Sequence, residues 1–276
     1  MKLAVLSDIH GNEHALDAVL NDIARQKADK VLVLGDSITD FAQATRAVLN
    51  KVRQHADYVI RGNREGYMLK WHAGEYGDLY RTHKQFSCHL KAYEMLTESD
   101  LAYIAALPKQ ISLVFDDAFS LRMVHGSPFS ESDVIREEAS ELLARSAAAT
   151  AESILLCGHT HKPMVKEING KTIINVGSVG LNFDKSFSAQ YTLITYESGL
   201  VHIDMRKVPY DFEAFKRTCD LSDTWVRVCL KCIEDGGSYG MRFLKEAADL
   251  CGTFPIPNDA WDAMADAWIE KGMLSR

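Results

Sequence analysis

The chain has 276 residues, 47% hydrophobic and 25% charged, a balance that suits a folded protein of one large domain or one domain with an extension. Its net charge of −7 and the lack of a basic stripe argue against a nucleic-acid backbone as the main partner. No apolar run approaches the roughly 20 residues of a membrane helix, and six cysteines without framework spacing predict reduced thiols in a cytoplasmic protein.

Residues 3–12, LAVLSDIHGN, open as the apolar run of a buried parallel strand. Asp8 interrupts the run too early for a secretory signal. Strand tips are where sites form in an open α/β sheet. Extended alternation would put Asp8 and His10 on one side, and Gly11 allows a sharp turn into the next segment. That segment repeats Leu16, Val19, Leu20 and Ile23 at helical spacing. Residues 30–36, KVLVLGD, predict a second buried strand ending in Gly35 and Asp36. A helix is expected over about 41–55. DYVIRGN, residues 57–63, predicts a third strand ending in Gly62 and Asn63. Successive strand–helix units imply a parallel sheet with right-handed crossovers.

From residue 64 to about 108 the chain is rich in aromatics, histidines and glycines. It reads as an excursion over the site that returns as a helix through Leu101, Ile104 and Leu107. Residues 111–126 predict a hairpin turning at Asp116–Asp117 and ending in His125 and Gly126. An Ala- and Glu-rich helix is expected over about 130–150. SILLCGHTH, residues 153–161, is a strand running into His159 and His161. Asn169–Gly170 is a strong two-residue hairpin signal, and its second strand stops at Gly177–Ser178. A last hairpin turns at Ser198–Gly199. Beyond Pro209 the pattern becomes helical and carries Trp225, Trp261 and Trp268. Cys229 and Cys232 lie at i and i+3 in this region, which suits core positions of a helix better than ligands.

Asp8, His10, Asp36, Asn63, His125, His159 and His161 therefore gather at strand tips. Carboxylate, imidazole and amide donors without thiolate suit Mn, Fe, Zn or Ni rather than Ca. Seven donors exceed the needs of one ion, and two ions can clamp a phosphoryl group and activate water.

The motifs D-x-H, G-D, G-N, H-G and G-H-T-H, in that order over residues 3–207, resemble those of the calcineurin-like metallophosphoesterase superfamily. The resemblance implies an α/β fold, a four-layer αββα sandwich of two mixed β-sheets flanked by helices. Residues 1–207 would form that domain and 208–276 a helical C-terminal extension. One divalent ion would be held by Asp8, His10, Asp36 and His161, and a second by Asp36, Asn63, His125 and His159, with Asp36 bridging. Asp36, Asn63, Arg64 and His125 would be the catalytic residues, and Gly177–Ser178 would stand behind the ligands. G-N-x-E, a V-H-G-S-P segment and a helical tail are similar to bacterial diadenosine tetraphosphate hydrolases and related phosphodiesterases. His72, His83 and His89 match no motif and are expected at the surface, with a place on the substrate side as the alternative.

One departure bears on chemistry. Many members carry histidine after G-N, a proton donor for the leaving group; this chain has Arg64. Arginine stays protonated but can stabilise charge on a transferring phosphoryl, or pair with Glu65 or another acid. A phosphate leaving group needs no proton donor as strongly as an alkoxide does, so a nucleotide phosphoanhydride is the expected substrate. Arg64, Tyr67 and Trp71, with Tyr76 and Tyr80, could bind it, an adenine stacking on the rings; equally, the rings could form the excursion's core. The alternatives are a general phosphodiesterase, a protein Ser/Thr phosphatase, or a partner-binding scaffold that has lost catalysis. Intact ligand positions favour the enzyme. A homo-oligomer is compatible with this reading, and a membrane partner is not.

Overall fold

Strand β1 (Lys2–Leu6) is buried on both faces, which is why its sequence runs apolar without alternation. In the computed structural model, which describes residues 1–115 and 119–275, Ala4 and Leu6 face one layer while Leu3 and Val5 face another. The same split recurs in β2 (Lys30–Val33), where Val31 and Val33 face outward and Leu32 inward. The first face is covered by α1 (Glu13–Gln26) through Leu16, Val19 and Ile23, and by α2 (Thr45–His55) through Val48 and Val52. Burying each such side chain contributes about 1.5–3 kcal/mol. β1 pairs in parallel with β2, and β2 with the short β3 (Tyr58–Val59).

The inner face meets a second sheet. β4 (Gln110–Val114) and β5 (Ser120–Val124) pair antiparallel across the expected Asp116–Asp117 turn, which lies outside the described residues. α7 (Ser140–Ala148) follows, then β6 (Ile154–Cys157), parallel to β5. β7 (Met164–Ile168) and β8 (Lys171–Asn175) form a hairpin on Asn169 and Gly170, whose φ values of 50° and 72° suit a tight two-residue turn. β9 (Ser188–Glu197) and β10 (Leu200–Pro209) return to the first sheet, β9 antiparallel to β1. Among the described residues each sheet has five strands, in the orders β10-β9-β1-β2-β3 and β4-β5-β6-β8-β7. Leu3, Leu32, Leu121, Met123, Leu156 and Ile174 fill the space between them. Leu143 and Ala147 of α7 cover the outer face of the second sheet. This is the expected α/β sandwich of two mixed sheets flanked by helices.

Two segments differ from expectation. The helix expected over 130–150 begins only at Ser140. Upstream, the Ser127 hydroxyl donates to Asp133 at 2.5 Å and accepts the Phe129 and Ser130 amides, so side-chain bonds hold this backbone in turns. The excursion is more helical than expected: α3 (Asn63–His72), α4 (Leu79–Thr82), α5 (Ser87–Met95) and α6 (Glu98–Ala106). Met68, Trp71, Ala92, Leu101 and Ile104 give it a core of its own.

The C-terminal segment forms α8 (Phe212–Thr218), α9 (Thr224–Asp235), α10 (Tyr239–Cys251) and α11 (Asn258–Glu270). Trp225, Trp261 and Trp268 are buried there, in a core that also takes in Phe41, Cys88 and Leu181 from the body. Cys229 and Cys232 are free thiols in that core, as expected. No described helix is long and apolar enough to cross a membrane.

Asp22 ties helix to sheet. Its carboxylate accepts Tyr191 Oη and Arg206 Nε, each at 2.8 Å, from β9 and β10. Burial opposes ionisation, but these bonds outweigh it and hold the carboxyl below its ordinary value. Asp22→Ala is expected to cost about 2 kcal/mol at pH 7, reduced from the fully buried figure because Arg206 is partly exposed. A carboxyl depressed in the folded state stabilises above its unfolded value of about 4 and loses that contribution as pH falls below it. Urea unfolding at pH 7 and pH 3 should therefore show the gap between variant and parent shrinking at the lower pH.

Candidate metal centre

The polar residues expected at strand tips converge where the two sheets meet. Asp8 and His10 follow β1, Asp36 follows β2, and Asn63 starts α3 after β3. His125 follows β5, and His159 and His161 follow β6. Extended alternation does not bring Asp8 and His10 together. Both lie beyond β1 in left-handed backbone, at φ 56° and 50°. Asp36, His159 and His161 share that conformation, at φ 51°, 65° and 58°. Each such non-glycine residue costs on the order of 1 kcal/mol and persists only where its surroundings impose it. Five of the seven candidate ligands carry this strain.

The surroundings that impose it are visible. Asp8 N–H donates to Gly35 O at 3.1 Å and His10 N–H to Asp36 O at 3.0 Å, lacing the first two strand ends together. The Ser178 hydroxyl donates to Asp8 O at 2.8 Å, so the Gly177–Ser178 loop stands behind the site. Glu65, buried at the start of α3, accepts the amides of Asp36, Ser37 and Gly62 at 2.8–2.9 Å. Gly158 is required because a Cβ there would meet Ser7 Oγ at 2.0 Å and Asp8 Oδ2 at 2.7 Å.

Two groups of donors result. Asp8, His10 and His161 form one; Asp36, His125 and His159 form the other, with the ligand atoms of each group within 4.8 Å of one another. His161 Nε2 is 3.3 Å and His10 Nε2 3.5 Å from Asp8 Oδ1. His125 Nε2 is 3.3 Å from Asp36 Oδ2 and 3.1 Å from Asn63 Oδ1. Asp36 Oδ2 is also 3.9 Å from His10 Nε2, so this carboxylate faces both groups. Its other oxygen accepts the Arg64 amide at 2.8 Å.

The donors fit divalent cations. His125 donates Nδ1–H to Leu34 O at 2.8 Å, His161 to Leu181 O at 2.5 Å, and His10 to Asp40 Oδ2 at 2.7 Å. Each ring thereby turns Nε2 toward the cluster, the usual arrangement around a metal. Asp8 Oδ1 is buried with no hydrogen-bond partner among the described residues, a costly state for a carboxylate oxygen unless a cation meets it. Electrostatics agree. Burial disfavours charge on every group, yet His125 is raised to about 10 by Asp36, and His10 to about 9 by Asp40. Asp36 falls to about 2 beside His125, and Asp8 is also lowered by its imidazole neighbours, both against burial. His159, less tightly paired, is pushed down to about 4 by burial and by His125. The carboxylates demand positive charge in their midst.

The expected substrate residues divide. Arg64 is three-quarters or more buried beside the cluster. Its guanidinium bonds His89 Nε2 at 2.7 Å and Asp40 at 3.3 Å, and its Nε lies 3.9 Å from Asp36 Oδ2. Tyr67 is half-buried beneath it, its ring 5.9 Å from the guanidinium carbon. Trp71 is 3% exposed, packed against Tyr76, Tyr80 and Tyr93. It has no open face for a base, so its expected stacking role is corrected to one in the excursion's core. His89 is buried, not a surface residue as expected; His72 is exposed and His83 intermediate. Sequence reading missed Asp40 altogether. Its only signal is position, four residues after Asp36 in GDSITD.

Comparison with known proteins is consistent with this geometry. The model of the calcineurin-like phosphoesterase superfamily domain matches residues 1–199. An uncharacterised protein of Methanocaldococcus jannaschii is 25% identical over 188 residues, 67% of this chain and 72% of that protein. A metallophosphoesterase from Sphaerobacter thermophilus superposes with a TM-score of 0.63 at 23% identity, over 79% of this chain and 92% of that one. A hypothetical protein from Pyrococcus horikoshii gives 0.69 at 19% identity, over 86% and 98%. These two likenesses speak for the fold alone. With the family model covering most of its length, the chain belongs to the calcineurin-like phosphoesterase superfamily and is a metallophosphoesterase, a hydrolase of phosphoric esters.

Proposed function

We propose that this protein is a dinuclear metal-dependent phosphohydrolase acting on a nucleotide phosphoanhydride, of which diadenosine tetraphosphate is the type. The observation that carries the dinuclear reading is the pair of donor groups sharing the carboxylate of Asp36. Asp8, His10, Asp36 and His161 would hold one ion; Asp36, Asn63, His125 and His159 would hold the other. Such ions, drawn from Mn, Fe, Zn or Ni, supply Lewis acidity at a phosphoryl oxygen and lower the pKa of a water that becomes the nucleophile. The chain's own residues do the rest. Asp36 keeps one oxygen on the Arg64 amide and the other toward the cluster. Asn63 Oδ1 and His125 Nε2, 3.1 Å apart, both face the second group. Arg64 holds a permanent positive charge against the site's edge, where charge builds on a departing phosphate. Residues 1–207 carry this chemistry, and the helices after them form an extension.

The anhydride reading rests on Arg64 in the place of a proton donor. Its test is a substrate panel with Mn²⁺ added to metal-stripped protein: phosphomonoesters, alkyl diesters and dinucleoside polyphosphates. Two ions bound per chain and cleavage of the polyphosphates are expected. A preference for phosphopeptides would assign a protein phosphatase instead. Ion binding without hydrolysis of any phosphate would leave a scaffold.

A further inference from the structure

Asp40 is fully buried and lies one bond behind the candidate ligands. Its Oδ2 accepts His10 Nδ1–H at 2.7 Å and the Thr39 hydroxyl at 3.1 Å. Its Oδ1 accepts Arg64 at 3.3 Å and, at 2.7 Å, the indole N–H of Trp225. Trp225 belongs to α9, 185 residues further along the chain and beyond the 1–199 segment that matches the family.

The placement of Trp225 is enforced from two sides. Asp223 caps α9 by accepting the Trp225 amide on Oδ1 at 2.9 Å. The other oxygen of Asp223 accepts Ser87 Oγ at 2.6 Å and Lys91 Nζ at 3.1 Å, both from α5 of the excursion. The indole ring packs against Trp261, centroids 6.4 Å apart. The excursion and the C-terminal helices thus close on Asp40 together.

The chemistry of the contact is specific. A carboxylate with no indole donor would be free to swing into the fork of Arg64, and His10 would lose the acceptor that sets its tautomer and ring angle. An indole is a neutral donor that cannot accept or titrate. It can fix Asp40 without placing a further cation beside a site built to hold cations. We propose that Trp225 is a positioning residue of the metal centre, holding Asp40 so that His10 presents Nε2 to its ion. The proposal rests on the reading of His10 as a ligand.

The test is calorimetric titration of the metal-stripped full chain with Mn²⁺. The parent is expected to take two ions, and His10→Ala to lose affinity at one site. Trp225→Phe, which keeps the ring and removes the donor, should weaken that same site by about tenfold and leave the other within about twofold. Trp268→Phe, which removes an indole donor bonded to Glu246 instead, should leave both unchanged. In an Asp40→Asn background, where one carboxamide oxygen cannot serve both ends, Trp225→Phe should add less than about twofold. A second readout avoids any folding defect: with all four tryptophans as 5-fluorotryptophan, one ¹⁹F resonance should shift as diamagnetic Zn²⁺ loads the parent and stay fixed in His10→Ala. Parent-like affinities in a folded Trp225→Phe, equal weakening in Trp268→Phe, or ¹⁹F resonances indifferent to the ion overturn the proposal while leaving the dinuclear reading standing. A parent that binds no ion overturns both.

Discussion

Asp36→Asn is expected to abolish nearly all hydrolysis, a loss on the order of 10³-fold in turnover or about 4 kcal/mol, and to disturb both ion sites at once. One oxygen of Asp36 is committed to the Arg64 amide. In the amide variant the remaining oxygen would take that bond. The NH₂ group would then face His125 Nε2 and His10 Nε2, which lie 3.3 and 3.9 Å from the present carboxylate oxygen. A donor would replace an acceptor that looks toward both groups; Asp8 Oδ1, 4.0 Å from His125 Nε2, is the other carboxylate oxygen so placed. His10→Ala should act differently, weakening the group of Asp8 and His161 by about 10–100-fold and recovering part of its activity at high Mn²⁺. Turnover in saturating Mn²⁺ reads both. An Asp36→Asn protein that keeps near-parent turnover there would show the two groups to be misassigned.

The strand tips were legible because of how β1, β2 and β6 are buried. A strand covered on both faces must read apolar until it ends, so Asp8 and Asp36 mark the ends as plainly as they offer candidate ligands. Resemblance in motif order then identified the family. What the sequence could not show is how the candidate ligands are held. Left-handed backbone at Asp8, His10, Asp36, His159 and His161 has no local signature, because aspartate and histidine adopt it under compulsion from neighbouring strand ends. The alternation argument for Asp8 and His10 reached the right pairing by the wrong geometry.

The segments that misled share one cause, side chains that bond locally or pack among themselves. Residues 130–139 have the composition of a helix, but the Ser127 hydroxyl captures their first turn. The excursion's helices pack on one another through Trp71 and its tyrosine neighbours, so their apolar positions do not form a stripe facing a sheet. Aromatic richness there left a binding face and a core equally open, and Trp71 with Tyr76, Tyr80 and Tyr93 packs as core. Asp40 and His89 were invisible for a different reason. Each acts through contacts with residues distant in the chain, Asp40 with Trp225 and His89 with Arg64, and nothing in their own neighbourhoods announces a buried polar role.

The structure sharpens the prediction on substrate choice. Dinucleoside polyphosphates should be cleaved with a kcat/KM on the order of 10² higher than simple alkyl phosphodiesters. The reason lies in the leaving group. An alkoxide is a strong base and must be protonated as it departs, whereas a terminal phosphate, with a second pKa of roughly 6, can leave under charge stabilisation alone. Arg64 cannot give up a proton; burial opposes its charge, but the carboxylates of Asp40 and Asp36 outweigh burial and strengthen its hold on that proton. Histidine in that position would be free to shuttle; His89, which does reach Arg64, is pushed down to about 3 by burial and by the guanidinium, so it is a neutral imidazole and no general acid near pH 7. Arg64→Ala should therefore lower kcat on the anhydride by about 10²-fold, the scale of losing one charged donor at a transition state. Arg64→Lys should restore little, because an ammonium cannot hold His89 and Asp40 in a fork while keeping a third nitrogen toward Asp36. Trp71→Ala should lower the melting temperature rather than raise KM alone, since the ring is buried among tyrosines. Steady-state kinetics on both substrate classes decide the matter. A preference for alkyl diesters, or a kcat indifferent to losing Arg64, would mean that protonation of the leaving group comes from elsewhere in the site, and the general phosphodiesterase reading would replace the anhydride one.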